Sequence, residues 1–158
     1  AIGPLLAGVT EREARWKPPS GSWSILEIAC HLADEEVEDF RARLRMTQED
    51  PAAPWPATDP ERWARDRKYN QQELAPTIAR FTRERAETVR WLRSLKAPDW
   101  SVTIVRPSRS VRAGDLLISW PAHDALHIRQ IAKRMFELAG EAGNADGFDT
   151  QYAGEWGA

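Results

Sequence analysis

The chain has 158 residues, 42% of them apolar and 29% charged, with a net charge of −2. That balance fits one folded domain with a real core and excludes any overall attraction to nucleic acid or anionic membrane. No apolar run reaches bilayer length, and the single cysteine, Cys30, excludes an internal disulfide framework and suits a reducing cytoplasm.

Residues 1–8 read as the end of a helix broken near Gly8. No basic region precedes an apolar one there, so no signal peptide is expected. With no initiator Met and a first helix cut short within 1–16, further residues upstream are expected. Thr10 with Glu13 makes a capping box for a short helix through Trp16, and Pro18-Pro19-Ser20-Gly21 is a turn. Ser24 with Glu27 makes a second box and opens a long helix to about Met46. Its packing stripe is Leu26, Cys30, Ala33, Val37, Phe40 and Leu44, and Cys30 is read as a small buried hydrophobe.

From Gln48 to Asp59, three prolines, with Pro60 directly after them, predict an ordered extended loop. Asp59-Pro60 then starts a helix, interrupted near Asn70 and resumed to about Leu95. Its inner side carries Leu74, Ile78, Phe81, Arg85, Thr88 and Leu92. Eight arginines between Arg62 and Arg93 are interleaved with acids, which predicts a solvated face rather than a nucleic-acid patch. Residues 96–110 hold a turn at Ala97-Pro98-Asp99 and an alternation, Val102 to Val105, too brief to commit to a strand. Ser110 is the expected cap of a last helix to about Leu138, kinked at Pro121. The tail 140–158 reads as irregular, with Phe148, Tyr152 and Trp156 expected to pack back. Three long helices, one truncated helix and no sheet predict an all-α four-helix bundle in one domain, residues 1–158.

The chemistry is expected in the last helix. His123 and His127 lie four apart and so stack one turn above the other at the edge of an apolar stripe. Two imidazoles at that spacing suit one metal ion, or else form a hydrogen-bonded pair at a helix interface. His31, the third and last histidine, projects with Glu27, Asp34 and Glu38 on the polar side of the second helix. That is the place of a solvated histidine, unless the polar side lines a cleft. In a cleft, His31 would complete a three-nitrogen site with coordination positions open, and Asp124 and Gln130 would orient His127. Imidazole suits Zn, Ni, Cu and Fe; Zn or Ni is the leading expectation.

Trp23-Ser-Ile-Leu-Glu-Ile-Ala-Cys-His31-Leu-Ala-Asp34 and His123-Asp-Ala-Leu-His127-Ile-Arg-Gln130-Ile resemble the DinB/YfiT superfamily over nearly the whole chain. The resemblance implies an up-down-down-up bundle with one divalent ion on His31, His123 and His127. Characterised members include thiol-dependent S-transferases and a mycothiol-dependent isomerase, so it also implies a small thiol or electrophile as partner. A homodimer is compatible with it. On this reading Glu35 or Asp34 handles protons and Arg134 holds a carboxylate of a thiol cofactor or substrate. The alternative is a metal- or ligand-binding stress-response protein without turnover. Pro121 departs from the alanine expected there.

Overall fold

Two capping boxes begin the fold. The Glu13 backbone N–H donates to Thr10 Oγ1 at 3.3 Å while the Thr10 N–H donates to the Glu13 carboxylate at 2.8 Å. Helix α2, Glu11–Arg15, follows that cap, and α1, Ile2–Leu6, precedes it. Ser24 and Glu27 repeat the arrangement at 3.1 and 2.8 Å and open α3, Ile25–Asp34. A computed structural model describes residues 2–105 and 110–157; part of the 96–110 stretch, at 106–109, lies outside the described residues.

Helix α3 does not continue as a plain α-helix. It passes into a π-helical segment, Glu35–Arg41, and then into α4, Ala42–Glu49. Such wide turns are rare and concentrate at functional sites. The proline loop follows. Helix α5, Pro60–Asp66, is capped by Asp59 and has its proline in the first turn, where a missing N–H costs nothing. A 3₁₀ turn at Tyr69–Gln71 leads into α6, Leu74–Ser94.

Two expectations fail before the last helix. The short alternation is a strand: β1, Thr103–Val105, pairs antiparallel with β2, Ser110–Arg112, with Ile104 opposite Val111. Ser110 therefore lies in a strand and cannot cap. The Arg112 backbone N–H donates instead to Asp115, at 2.9 Å, at the start of α7, Ala113–Ala145. Helix α7 runs unbroken through Pro121 and beyond Leu138, so it takes in the first residues of the tail read as irregular. Of the three tail aromatics, Trp156 meets Phe136 with ring centroids 5.7 Å apart, while Phe148 and Tyr152 stay exposed.

Paired residues set the topology. Arg15 bonds the carbonyl of Gln72 and Glu11 accepts from the Leu74 N–H, so α2 runs against the start of α6. Cys30 meets Thr77, Asp34 meets Arg80, and Arg41 meets Glu84 and Thr88; both numbers rise together, so α3 and α6 are parallel. Trp23 meets Arg134, His31 meets His127, and Glu36 meets Trp120, so α3 and α7 are antiparallel. The order is up-down-down-up. The two parallel members need the long crossover that the proline loop and α5 supply.

All ten residues of α3 are buried, which overturns the division of that helix into one packing stripe and one open polar side. Ile25, Leu26, Ile28 and Leu32 form one core with Leu6, Leu74 and Ile131; Leu44, Val111, Leu116 and Trp120 form a second. The acids are buried because cations reach them. Lys17 meets Glu27 at 2.9 Å, Arg67 and Arg80 meet Asp34 at 2.5 and 2.6 Å, and Arg85 meets Glu36 at 2.7 Å. The arginine-rich stretch is thus only partly a solvated face. Arg62, Arg83 and Arg90 make exposed local pairs, whereas Arg67, Arg80 and Arg85 reach inward. Among the described residues no helix is long and apolar enough to cross a membrane.

Candidate metal centre

Helix α3 carries His31 to the face of α7 that presents His123 and His127. The Nε2 atom of His127 is 3.1 Å from Nε2 of His31 and 3.1 Å from Nε2 of His123. All three ligand atoms lie within 4.8 Å of one another. Nitrogens about 2.0–2.1 Å from one tetrahedral ion stand about 3.3 Å apart, which the two 3.1 Å separations match closely.

Protonation fits as well. Burial first, then the neighbouring imidazoles, pushes His31 down to about 3. Burial and then His127 push His123 down to about 4, and burial also lowers His127. Three neutral rings therefore face one point with nitrogen lone pairs available. His127 Nδ1 lies 2.9 Å from Gln130 Oε1; the amide oxygen can only accept, so Nδ1 carries the proton and Nε2 is left bare. Trp23 packs 5.0 Å from the His31 ring and Phe40 packs 5.2 Å from the His123 ring.

The acids singled out from the sequence part company. Glu35 Oε1 lies 3.8 Å from His31 Nδ1, and burial first, then Asp39, pushes its carboxyl up to about 8. Asp34 is held by Arg67, Arg80 and the Tyr69 hydroxyl and lines another cleft, beside Cys30. Burial pushes the Cys30 thiol up to about 11, as a packing cysteine requires. Arg134 Nε donates to the Trp23 carbonyl at 2.9 Å, and its Nη1 pairs with Glu137. It also lines a polar cleft of about 510 Å³ with Lys17, Trp23, Arg65, His127 and Gln130. Lys17 and Arg65 were not anticipated, because nothing local ties either to the histidine motifs.

Residues 2–131 match the DinB superfamily, a span that includes all three histidines. The chain belongs to the DinB superfamily. Among solved structures, this DinB chain is similar to YfiT from Bacillus subtilis, described as a probable metal-dependent hydrolase with an unusual four-helix bundle topology. That likeness has 16% identity and a TM-score of 0.68 and covers 85% of this chain and 79% of that one, which shows the shared fold. No curated protein matched the chain. Arg134 lies beyond the family match, so any role for it rests on this DinB chain alone.

Proposed function

We propose that this DinB protein is a cytoplasmic metalloenzyme. It holds one divalent ion, Zn or Ni, on His31, His123 and His127 and joins a low-molecular-weight thiol to a small electrophile. The observation that carries this reading is the convergence of three neutral Nε2 atoms beside an open polar cleft. An ion bound by three nitrogens supplies a Lewis acid with coordination positions to spare, able to lower the pKa of a thiol or of water.

The chain's own residues do the rest. Gln130 fixes the His127 tautomer, and Trp23 and Phe40 wall the rings. The cations of the cleft, Lys17, Arg65 and Arg134, suit the carboxylates that cysteine-derived thiols carry. As the sulfur–carbon bond forms, the thiol proton must leave and the departing group takes the bonding electron pair. Glu35 is the carboxyl within 4 Å of a ligand histidine; in this account it receives that proton in its ionised form, which is the minor form below about pH 8. Asp34, already saturated by two guanidiniums and a phenol, anchors α3 instead.

Hydrolysis is the second reading, in keeping with the description of YfiT. The Glu35 carboxyl favours it, since an acid beside the centre serves water as readily as a thiol. The experiment is turnover by Zn- and Ni-loaded protein with a panel of low-molecular-weight thiols and electrophiles, with His123→Ala as control. Thioether formation lost in the variant supports the transferase. Product release without thiol consumption selects hydrolysis. Metal-loaded protein inert to both panels returns the chain to the non-catalytic binding class.

A further inference from the structure

Glu36, in the π-helical segment, is 0% exposed and would be an unpaired buried charge without Arg85. Arg85 comes from α6 and uses its guanidinium in two directions. Nε donates to Glu36 Oε2 at 2.8 Å, and Nη1 donates to Asp124 Oδ2, on α7, at 2.6 Å. The Trp120 indole N–H donates to the same Glu36 oxygen at 3.1 Å, and Arg85 lies 5.5 Å from the Trp120 ring centroid. Phe40 stacks on Trp120 at 5.3 Å and also meets the His123 ring. The ring of contacts is closed, and it joins the turn that follows His31 to the turn that carries His123.

His123 needs such a device. His127 is oriented by Gln130, but the buried Nδ1 of His123 finds no hydrogen-bond partner among the described residues. Outside the cluster itself, the direction of its ring is therefore set by where α7 stands and by the Phe40 face. We propose that Arg85 is a positioning residue for the three-histidine centre, clamping Asp124, and with it His123, to the π-helical turn through Glu36. The inference rests on the metal reading above.

A clamp differs from a plain contribution to stability. Buried ion pairs are often matched in stability by apolar replacements, so their retention is better explained by the geometry they specify. Only the planar fork of arginine reaches two carboxylates at once along fixed directions; a lysine supplies the same charge as a single point.

The test is metal affinity, measured by Zn²⁺ competition with a chromophoric chelator, together with the visible spectrum of Co²⁺-loaded protein. Arg85→Lys keeps the charge and loses the fork. A second variant, Glu36→Gln and Asp124→Asn with Arg85→Met, removes all three charges and leaves none buried alone. Each is expected to keep the wild-type helical circular dichroism without metal, to bind Zn²⁺ about 10- to 100-fold more weakly, and to shift the Co²⁺ bands. Wild-type affinity and spectrum in Arg85→Lys, with binding lost in His123→Ala, would overturn the clamp and leave the three-histidine reading intact. Equal Zn²⁺ binding by wild type and His123→Ala would overturn that reading itself. Unfolded metal-free protein in both Arg85 variants would make Arg85 a determinant of the fold and end its positioning role.

Discussion

The Nε2 atom of His31 stands 3.1 Å from that of His127 across a separation of 96 residues in sequence. His127 Nε2 has a second nitrogen neighbour, His123 Nε2, at the same distance, while its own proton sits on Nδ1. One bare lone pair faces two rings. A hydrogen bond into that lone pair from one of the two rings would hold the cluster without metal, and one shared ion would hold it with metal. His123→Ala separates the cases. It is expected to abolish stoichiometric Zn²⁺ binding, since two nitrogens bind far more weakly than three. Equal metal content in wild type and variant, by elemental analysis of untagged protein, would leave only the hydrogen-bonded cluster.

Acid should destabilise the metal-free chain through the same histidines. His31 is pushed down to about 3 and His123 to about 4. An unfolded histidine titrates near 6.5, so below that pH the unfolded state binds more protons and stability falls as the medium is acidified. The contribution is whole above about pH 6.5. Glu35 works in the opposite sense: its raised carboxyl favours the folded state in acid, and that contribution is lost as pH rises to about 8. Proton NMR of the metal-free chain is expected to show ring signals of His31 and His123 holding neutral positions well below the ordinary histidine midpoint. Midpoints at the unfolded value would show that the cluster is open to water.

Duplex DNA should not bind to the arginine-rich helices. Arg67, Arg80 and Arg85 are engaged with Asp34, Glu38 and Glu36. Arg83 and Arg90 pair with acids on the surface. Few cations are left to displace counterions from phosphate. Fluorescence anisotropy with a labelled duplex at low salt checks this; a sub-micromolar affinity falling steeply with salt would refute it.

Much of this was legible in the sequence where the signal is local. The Thr10 and Ser24 boxes, Asp59-Pro60 and the four-residue spacing of His123 and His127 each depend on a few adjacent residues. The π-helical segment was not legible, because the apolar period through Val37 and Phe40 fits an ordinary α-helix. The side of α3 that carries His31 leaves the solvated and the cleft readings both open in the sequence, for a related reason. Its neighbours Glu27 and Asp34 look like a solvent face until Lys17, Arg67 and Arg80 arrive from elsewhere. One long-range signal was present: Arg85 falls on the inner side of its helix among Phe81, Thr88 and Leu92, where a cation requires a buried acid. The hairpin escaped because three-residue strands carry too little pattern to distinguish from loop.

Metal should also stabilise the fold. His31 comes from α3 and the other two histidines from α7, so one ion cross-links elements that pack against each other but are distant in sequence. Whatever binds only the folded state stabilises it by mass action, by about 3–4 kcal/mol when free ion is roughly a hundred to a thousand times Kd. The metal-free chain should still fold, because both cores close on aliphatic and aromatic contacts that owe nothing to the ion. A zinc finger has no such core and unfolds when stripped. For a chain of this length each kcal/mol moves Tm by about 2–4 °C, so chelation is expected to lower Tm by roughly 5–15 °C while leaving a cooperative transition. His31→Ala should melt near the chelated wild type and lose its response to chelator, since the cross-link needs both sides. Thermal melts by circular dichroism at pH 7.5, with and without chelator, make the comparison. Superimposable curves for metal-loaded and stripped protein would refute the cross-link, and a stripped chain without a transition would refute the self-sufficient bundle.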